Sequence, residues 1–208
     1  MKHFDSLTNS SALNLLGPLK LLDSTVFSPI DLKRPSIFID GGSRLKDNFH
    51  FENALNFSLG DGDSSNHSSQ LDIQLPSHKD LTDFEYALIN LPGQVDELQL
   101  FGFIGERLDH QLSLLAALDR WLSEGAKYCS LEGLILAHSA GKHRININGS
   151  FSILSFENCN MSLKGKCRYQ LELQEIPKLS GHTVSNEGLG EIEIHCDRSF
   201  FIFKNKMT

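Results

Sequence analysis

Apolar residues along the first 140 or so positions fall in short unbroken runs that end in Gly- and Asp-rich loops. Ser36-Ile37-Phe38-Ile39 leads directly into Asp40-Gly41-Gly42. An unbroken apolar run of that length predicts a parallel strand buried on both faces, emerging into a loop at its carboxyl end. Phe57-Ser58-Leu59 followed by Gly60-Asp61-Gly62-Asp63-Ser64 repeats the pattern. Upstream, Ala12 to Leu22 reads as a strand and turn or as a short helix, interrupted by Gly17-Pro18. Downstream, a polar linker from Ser64 to Ser69 precedes a short strand at Leu71 to Leu75.

Two helices follow. Phe84, Ala87, Leu88 and Leu91 recur at helical spacing after a candidate N-cap, Thr82, and Pro92-Gly93 ends the element. Glu97 to Phe103 reads as a strand, and Gly105 opens a loop into a helix whose buried face is expected to carry Leu108, Leu112, Leu115, Ala116 and Trp121. From Leu131 onward short alternating runs take over: Leu134–Ala137, Arg144–Ile147, Phe151–Phe156, Tyr169–Leu173, Glu191–Ile194 and Phe200–Phe203. Gly, Asn and Ser turns separate them, the mark of antiparallel β structure. The expected fold class is an α/β N-terminal domain with a mostly parallel sheet, over 1–140, followed by a small all-β, sandwich-like C-terminal domain over 141–208. The first ten or so residues are polar and are expected to be disordered.

Composition narrows the partners. The chain has 208 residues, 40% hydrophobic and 22% charged, enough for a globular core. Its net charge is -7, and no run of Lys or Arg is long enough to track a phosphate backbone, which argues against nucleic acid. No apolar stretch approaches the roughly 20 residues a membrane helix needs, and no export signal is read at the start. Cys129, Cys159, Cys167 and Cys196 form no CxxC pair and read as free thiols of a cytoplasmic protein.

In open α/β sheets, ligands bind beyond the carboxyl ends of the strands. Several clusters fall in such loops: Asp40-Gly41-Gly42, Asp61-Gly62-Asp63-Ser64, Lys79-Asp80-Leu81-Thr82-Asp83 and Gly105-Glu106-Arg107-Leu108-Asp109-His110. Asp61 and Asp63 alternate, so an extended backbone points both carboxylates the same way, and a cation between them would relieve their repulsion. Magnesium takes a few carboxylates together with phosphate oxygens and water. Arg107, at a helix start, suits a phosphate. Each cluster also has a local reading: Asp-Gly-Asp as a turn, Thr82 with Glu85 as a capping box, Asp109-His110 as first-turn residues favoured by the helix dipole. Ser139-Ala140-Gly141-Lys142 lacks the full spacing of a phosphate loop and reads as a hairpin turn.

Taken in order, these clusters resemble those of the thiamin pyrophosphokinase family from about Ile37 onward. The family's Asp-Gly-Gly is matched by Asp40-Gly41-Gly42, and its Gly-Asp-Phe-Asp-Ser loop by Gly60 to Ser64. Its Lys-Asp-x-Thr-Asp is matched by Lys79 to Asp83, its Gly-Gly-Arg-Leu-Asp-His by Gly105 to His110, and a late Ser-Asn-Glu by Ser185-Asn186-Glu187. The chain departs from the pattern at Gly62, where the family has Phe, and at Glu106, where it has Gly. Its segment from Phe156 to Ser180 looks short for the family's thiamin-binding sandwich, and Gly165 to Tyr169 matches a Gly-Leu-Lys-Tyr-like stretch only loosely.

The resemblance implies transfer of the pyrophosphoryl group of ATP to the hydroxyl of thiamin, with magnesium. It implies that Asp61, Asp63 and Asp80 hold the metal and that Asp83 and Asp109 complete an acidic centre. Arg107, with Lys79, would meet the phosphates. Asp40, Gly41, Gly42, Ser64, Thr82 and His110 would border the nucleotide, and Ser185 and Asn186 the thiamin. It further implies a homodimer with the active site near the interface. Two alternatives keep the same nucleotide half: a diphosphokinase acting on another alcohol such as a pterin, and a non-catalytic nucleotide- or thiamin-binding homologue.

Overall fold

The structure, a computed structural model, describes residues 4–21, 29–47, 49–52, 55–62 and 71–205. Asp63, Ser64 and the linker expected over 64–69 lie outside the described residues. The chain divides into two compact units, Met1–Trp121 and Leu122–Thr208.

The first unit is built on a parallel sheet. Its strands β1 (Ala12–Leu16), β2 (Ser36–Ile39), β3 (Asn56–Gly60), β4 (Ile73–Gln74) and β5 (Glu97–Phe101) stand in the order β5-β1-β2-β3-β4. Every pairing among them is parallel. All four residues of β2 are buried, which is why Ile37-Phe38-Ile39 runs without alternation and the one polar side chain, Ser36, is hydrogen-bonded to Asn14 and the Arg34 carbonyl: a parallel strand covered on both faces has no wet side. Ala12 to Leu16 is a strand, and the chain turns away after it at Gly17-Pro18. Phe4 and Leu7 are buried, Phe4 edge-on to Phe57 with ring centroids 5.7 Å apart.

Helix α1 (Asp83–Asn90) begins where the sequence places its cap. The Glu85 amide donates to Thr82 Oγ1 at 3.1 Å, and the Thr82 amide donates to Glu85 Oε2 at 3.1 Å, a reciprocal capping box. The other carboxylate oxygen of Glu85 accepts from Arg120 of helix α2 (Leu108–Ser123) at 2.7 Å, tying the two helices together. The buried face of α2 differs from expectation. Leu108 and Leu112 are 69% and 50% exposed, while Leu114, Leu115, Leu118, Trp121 and Leu122 are buried. Its leucines form one arc somewhat under half the circumference, with Leu108 and Leu112 at one edge in the first turns, and packing buries the other side. Among the described residues no helix is long and apolar enough to cross a membrane.

The second unit is antiparallel. Strands β6 (Tyr128–Leu131), β7 (Ile135–His138), β8 (Gly141–Leu154), β9 (Cys159–Cys167), β10 (Leu171–Ile176), β11 (Asn186–Cys196) and β12 (Phe200–Lys204) run in the order β10-β9-β11-β8-β12-β7-β6. The two runs expected on either side of Asn148-Gly149 are one 14-residue strand, β8, in which Gly149 faces Gly188 of β11. The cross-strand ladder satisfies the backbone there and overrides the local turn preference of Asn-Gly. Phe151, Ile153, Met161, Leu163, Ile192, Ile194, Phe200 and Ile202 alternate inward to one shared core. The α/β unit followed by an antiparallel β unit is the fold class implied by the change of apolar period. All four cysteines are free and buried, and burial pushes the Cys196 thiol up to about 12.

His138, at the end of β7, stacks on Phe200 with centroids 5.5 Å apart and lies 4.6 Å from the His143 ring. Its Nε2 is buried without a hydrogen-bond partner. Burial, and secondarily the neighbouring His143, push its pKa down to about 4. An unfolded chain takes up this proton below its ordinary value near 6.5 while the folded chain resists it, so stability is lost as pH falls from 6.5 towards 4. The expected loss is about 2–3 kcal/mol, removed in His138→Phe; comparing denaturant midpoints of both proteins at pH 7 and pH 4.5 checks it. Thr82→Ala is expected to lower stability by about 1 kcal/mol through loss of the cap, read from the same experiment at pH 7.

Candidate functional site

Strands β2 and β3 are neighbours in register, with Ile39 opposite Leu59. Their carboxyl ends therefore emerge side by side, and the residues just beyond them are Asp40 and Asp61. Helix α1 packs against both strands and presents Asp83 as its first residue. Asp40, Asp61 and Asp83 each offer a carboxylate oxygen, and these atoms all lie within 4.8 Å of one another.

Local backbone chemistry makes this convergence possible. Asp40 has φ 54°, a left-handed conformation that a non-glycine residue adopts at some cost. It starts a tight 3₁₀ turn, Asp40–Asp47, directly off the end of β2. Gly42 lies against β1 so closely that a Cβ would collide with the Leu16 carbonyl. At Gly60 a Cβ would sit 3.2 Å from Asp40 Cα and 3.7 Å from Asp83 Oδ2, so the bare α-carbon lets the carboxylates close in. Arg44 is also near, its guanidinium carbon 3.7 Å from where a Gly41 Cβ would stand.

Asp83 Oδ1 is buried and lies 2.6 Å from Lys79 Nζ, both side chains being less than a fifth exposed. The approach is an ion pair by distance, but its angles fall outside hydrogen-bond geometry, so the oxygen has charge compensation without an aligned donor. Lys79 Nζ donates instead to the Pro76 carbonyl at 3.1 Å. An under-satisfied oxygen on one of three converging carboxylates fits a hard cation, which takes oxygen ligands.

The remaining candidates are distributed as follows. Asp80 is exposed and outside the triad, and Thr82 is occupied with the cap of α1. Arg107 and Asp109 pair with each other at 2.5 Å, both well exposed. The hydrogen bond from Arg107 holds the Asp109 carboxyl down at about 2, and the same bond raises the guanidinium further. Glu106 and His110 are exposed.

In the β unit, Asn186 is buried and its side chain is committed to Tyr169. Asn186 Nδ2 donates to the Tyr169 carbonyl at 2.6 Å, and Asn186 Oδ1 accepts from the Tyr169 amide at 3.0 Å and from the Glu187 amide at 2.8 Å. Ser185 is exposed, with φ 62° and its amide donating to Ser152 Oγ at 3.0 Å. This anchorage holds Tyr169, a residue 57% exposed, beside the Ser185-Asn186 pair. The adjacent aromatic ring has no counterpart next to Ser185 in sequence, and the signal that could have found it is Tyr169 at the end of the Gly165–Tyr169 stretch.

No protein-family model matches the chain, and no curated protein sequence matches it. Its fold, however, is that of solved thiamin pyrophosphokinases, in line with the resemblance carried by the motifs. The structure named as that of Geobacillus thermodenitrificans thiamin pyrophosphokinase is 20% identical with a TM-score of 0.72, covering 95% of this chain and 99% of that one. The Bacillus subtilis one is 18% identical with a TM-score of 0.69, covering 94% and 100%. The Candida albicans one is 14% identical, also with a TM-score of 0.69, covering 95% and 89%.

One consequence of the left-handed Asp40 is open to measurement. Asp40→Gly is expected to stabilise the fold by about 1 kcal/mol, through relief of backbone strain and of carboxylate repulsion, while weakening any divalent cation held by the triad. Denaturant unfolding with chelator present, and Mn2+ binding by titration calorimetry, report the two effects separately.

Proposed function

We propose that this protein is a magnesium-dependent thiamin diphosphokinase, a cytoplasmic enzyme that moves the pyrophosphoryl group of ATP to the hydroxyl of thiamin and releases AMP. The observation that carries the reading is the Asp40–Asp61–Asp83 triad at the carboxyl ends of parallel strands, in a chain with the fold of the thiamin pyrophosphokinases.

Asp61 and Asp83, joined by Asp63 and directly or through water by Asp40 and Asp80, would hold magnesium. Held there, magnesium would supply charge neutralisation and Lewis acidity to the polyphosphate. Arg107, steered by Asp109, meets charge on the phosphates, with Lys79 assisting. Gly41, Gly42, Ser64, Thr82 and His110 line the nucleotide. The acceptor oxygen attacks the β-phosphorus, the bond from that phosphorus to the oxygen bridging the α-phosphate breaks, and AMP leaves with that oxygen. A carboxylate of the acidic centre takes the hydroxyl proton. Catalysis here is alignment and charge neutralisation, with no covalent enzyme intermediate.

Residues 141–208 act as the thiamin-binding domain, with Ser185 at the edge of the acceptor and Tyr169 offering a face for stacking; Asn186 acts by holding Tyr169. The acceptor pocket lies near the interface of a homodimer. One observation favours a second reading with the same donor chemistry and another alcohol such as a pterin. The Arg168 guanidinium lies 5.3 Å from the centroid of the Tyr169 ring, and a second cation, the thiazolium of thiamin, would be repelled there while a neutral ring would not.

Release of AMP from Mg-ATP, measured with and without thiamin, tests the proposal. AMP is expected only with thiamin and magnesium, and to fall at least about 100-fold in the Asp61→Ala/Asp63→Ala double variant. Folded protein that binds ATP yet makes no thiamin-dependent AMP excludes thiamin as acceptor; AMP release on a pterin alcohol then selects the second reading.

A further inference from the structure

Three carboxylates within 4.8 Å repel one another, and the chain meets this with a cation of its own. Lys79 Nζ stands 2.6 Å from Asp83 Oδ1, with the lysine side chain only 17% exposed. Among the described residues it also donates to a neutral acceptor, the Pro76 carbonyl, at 3.1 Å. An ammonium is a compact point charge on a flexible stem, so it can leave one partner and keep the other. A divalent cation ligated by either oxygen of the Asp83 carboxylate would lie within a few ångströms of that ammonium, where like charges in a partly dry site repel strongly. A cation bound to this carboxylate and an ammonium 2.6 Å from it compete for the same negative charge. Entry of the metal therefore evicts the ammonium, and eviction costs most when nothing negative is present to receive it.

We infer that Lys79 is a built-in counter-ion that a divalent cation must displace from Asp83, and that the displaced ammonium is taken up by the polyphosphate the metal carries, so that the site selects a metal–polyphosphate complex over the free metal. The inference rests on the reading of the triad as a metal site and adds to it a residue that couples the two ligands. Lys79 is on this account a positioning and selectivity residue. Its placement follows from the fold: four positions before Asp83, it precedes the helix whose first residue is Asp83, so the loop and the helix start are held as one piece.

Coupling of this kind is reciprocal and can be measured as a ratio of affinities. The full-length protein is titrated with free Mn2+, followed by the electron paramagnetic resonance of the unbound ion, and separately with the preformed Mn2+–tripolyphosphate complex. Wild type is expected to favour the complex by about 10-fold or more. In Lys79→Met free Mn2+ should bind at least about 5-fold more tightly and the complex more weakly, so that the preference collapses; Lys79→Arg, which keeps the charge, should retain most of it. A wild type with no preference overturns the inference without recourse to any variant. Free Mn2+ binding no more tightly to folded Lys79→Met than to wild type also overturns it, while leaving the triad as a metal site. If neither folded protein binds Mn2+ in either form, the inference and the metal reading fail together. Loss of thiamin-dependent AMP release with these Mn2+ results intact would remove only the reaction.

Discussion

Like charges do not gather unless something compensates them, and the acidic triad at the ends of β2 and β3 is the constraint around which the first unit is arranged. The parallel register of Ile39 opposite Leu59 delivers Asp40 and Asp61 to one edge of the sheet. Helix α1 then brings Asp83, whose carboxylate gains from the helix N-terminus. The capping box of Thr82 and Glu85 fixes where that helix begins, so a small local motif determines which aspartate of Lys79-Asp80-Leu81-Thr82-Asp83 faces the other two. Asp80 lies two residues before the cap and stays exposed. The strained φ of Asp40 and the bare α-carbon of Gly60 are the backbone concessions that allow the approach. Such concessions cluster at functional sites because a relaxed backbone would hold the charges apart.

The β unit uses a different device. Its polar site candidates do not converge on a charge; Asn186 instead substitutes a side-chain amide for a stretch of ladder and clamps the backbone of Tyr169 from both sides. A residue that reads as a ligand contact is thereby a positioning group, and the exposed ring is what it positions. Buried, fully bonded amides of this kind specify geometry at a small energetic gain, because the alternative is an unsatisfied polar group in the core.

Much of this was legible in the chain. The switch from unbroken apolar runs to alternating ones separates the parallel from the antiparallel region, because burial on two faces and on one face leave different periods. The cap of α1, the strand ends at Asp40 and Gly60, and the acidic loops follow from local rules. Periodicity is a weaker guide at the edge of an apolar arc: Leu108 and Leu112 lie on the apolar side of α2 but at its margin, and docking leaves them exposed. At Asn148-Gly149 a strong turn signal gave way to the long β8–β11 ladder, since a strand with partners on both sides outweighs a two-residue preference.

By itself, then, the order of residues determined which segments become strands and helices, where they stop, and which loops carry carboxylates, because these depend on neighbours a few positions away. Tertiary structure alone decided which carboxylates meet and that Asn186 is spent on Tyr169. Those outcomes depend on distances between residues far apart in the chain, such as Asp40 and Asp83, which strand register and helix docking set and no local spacing encodes.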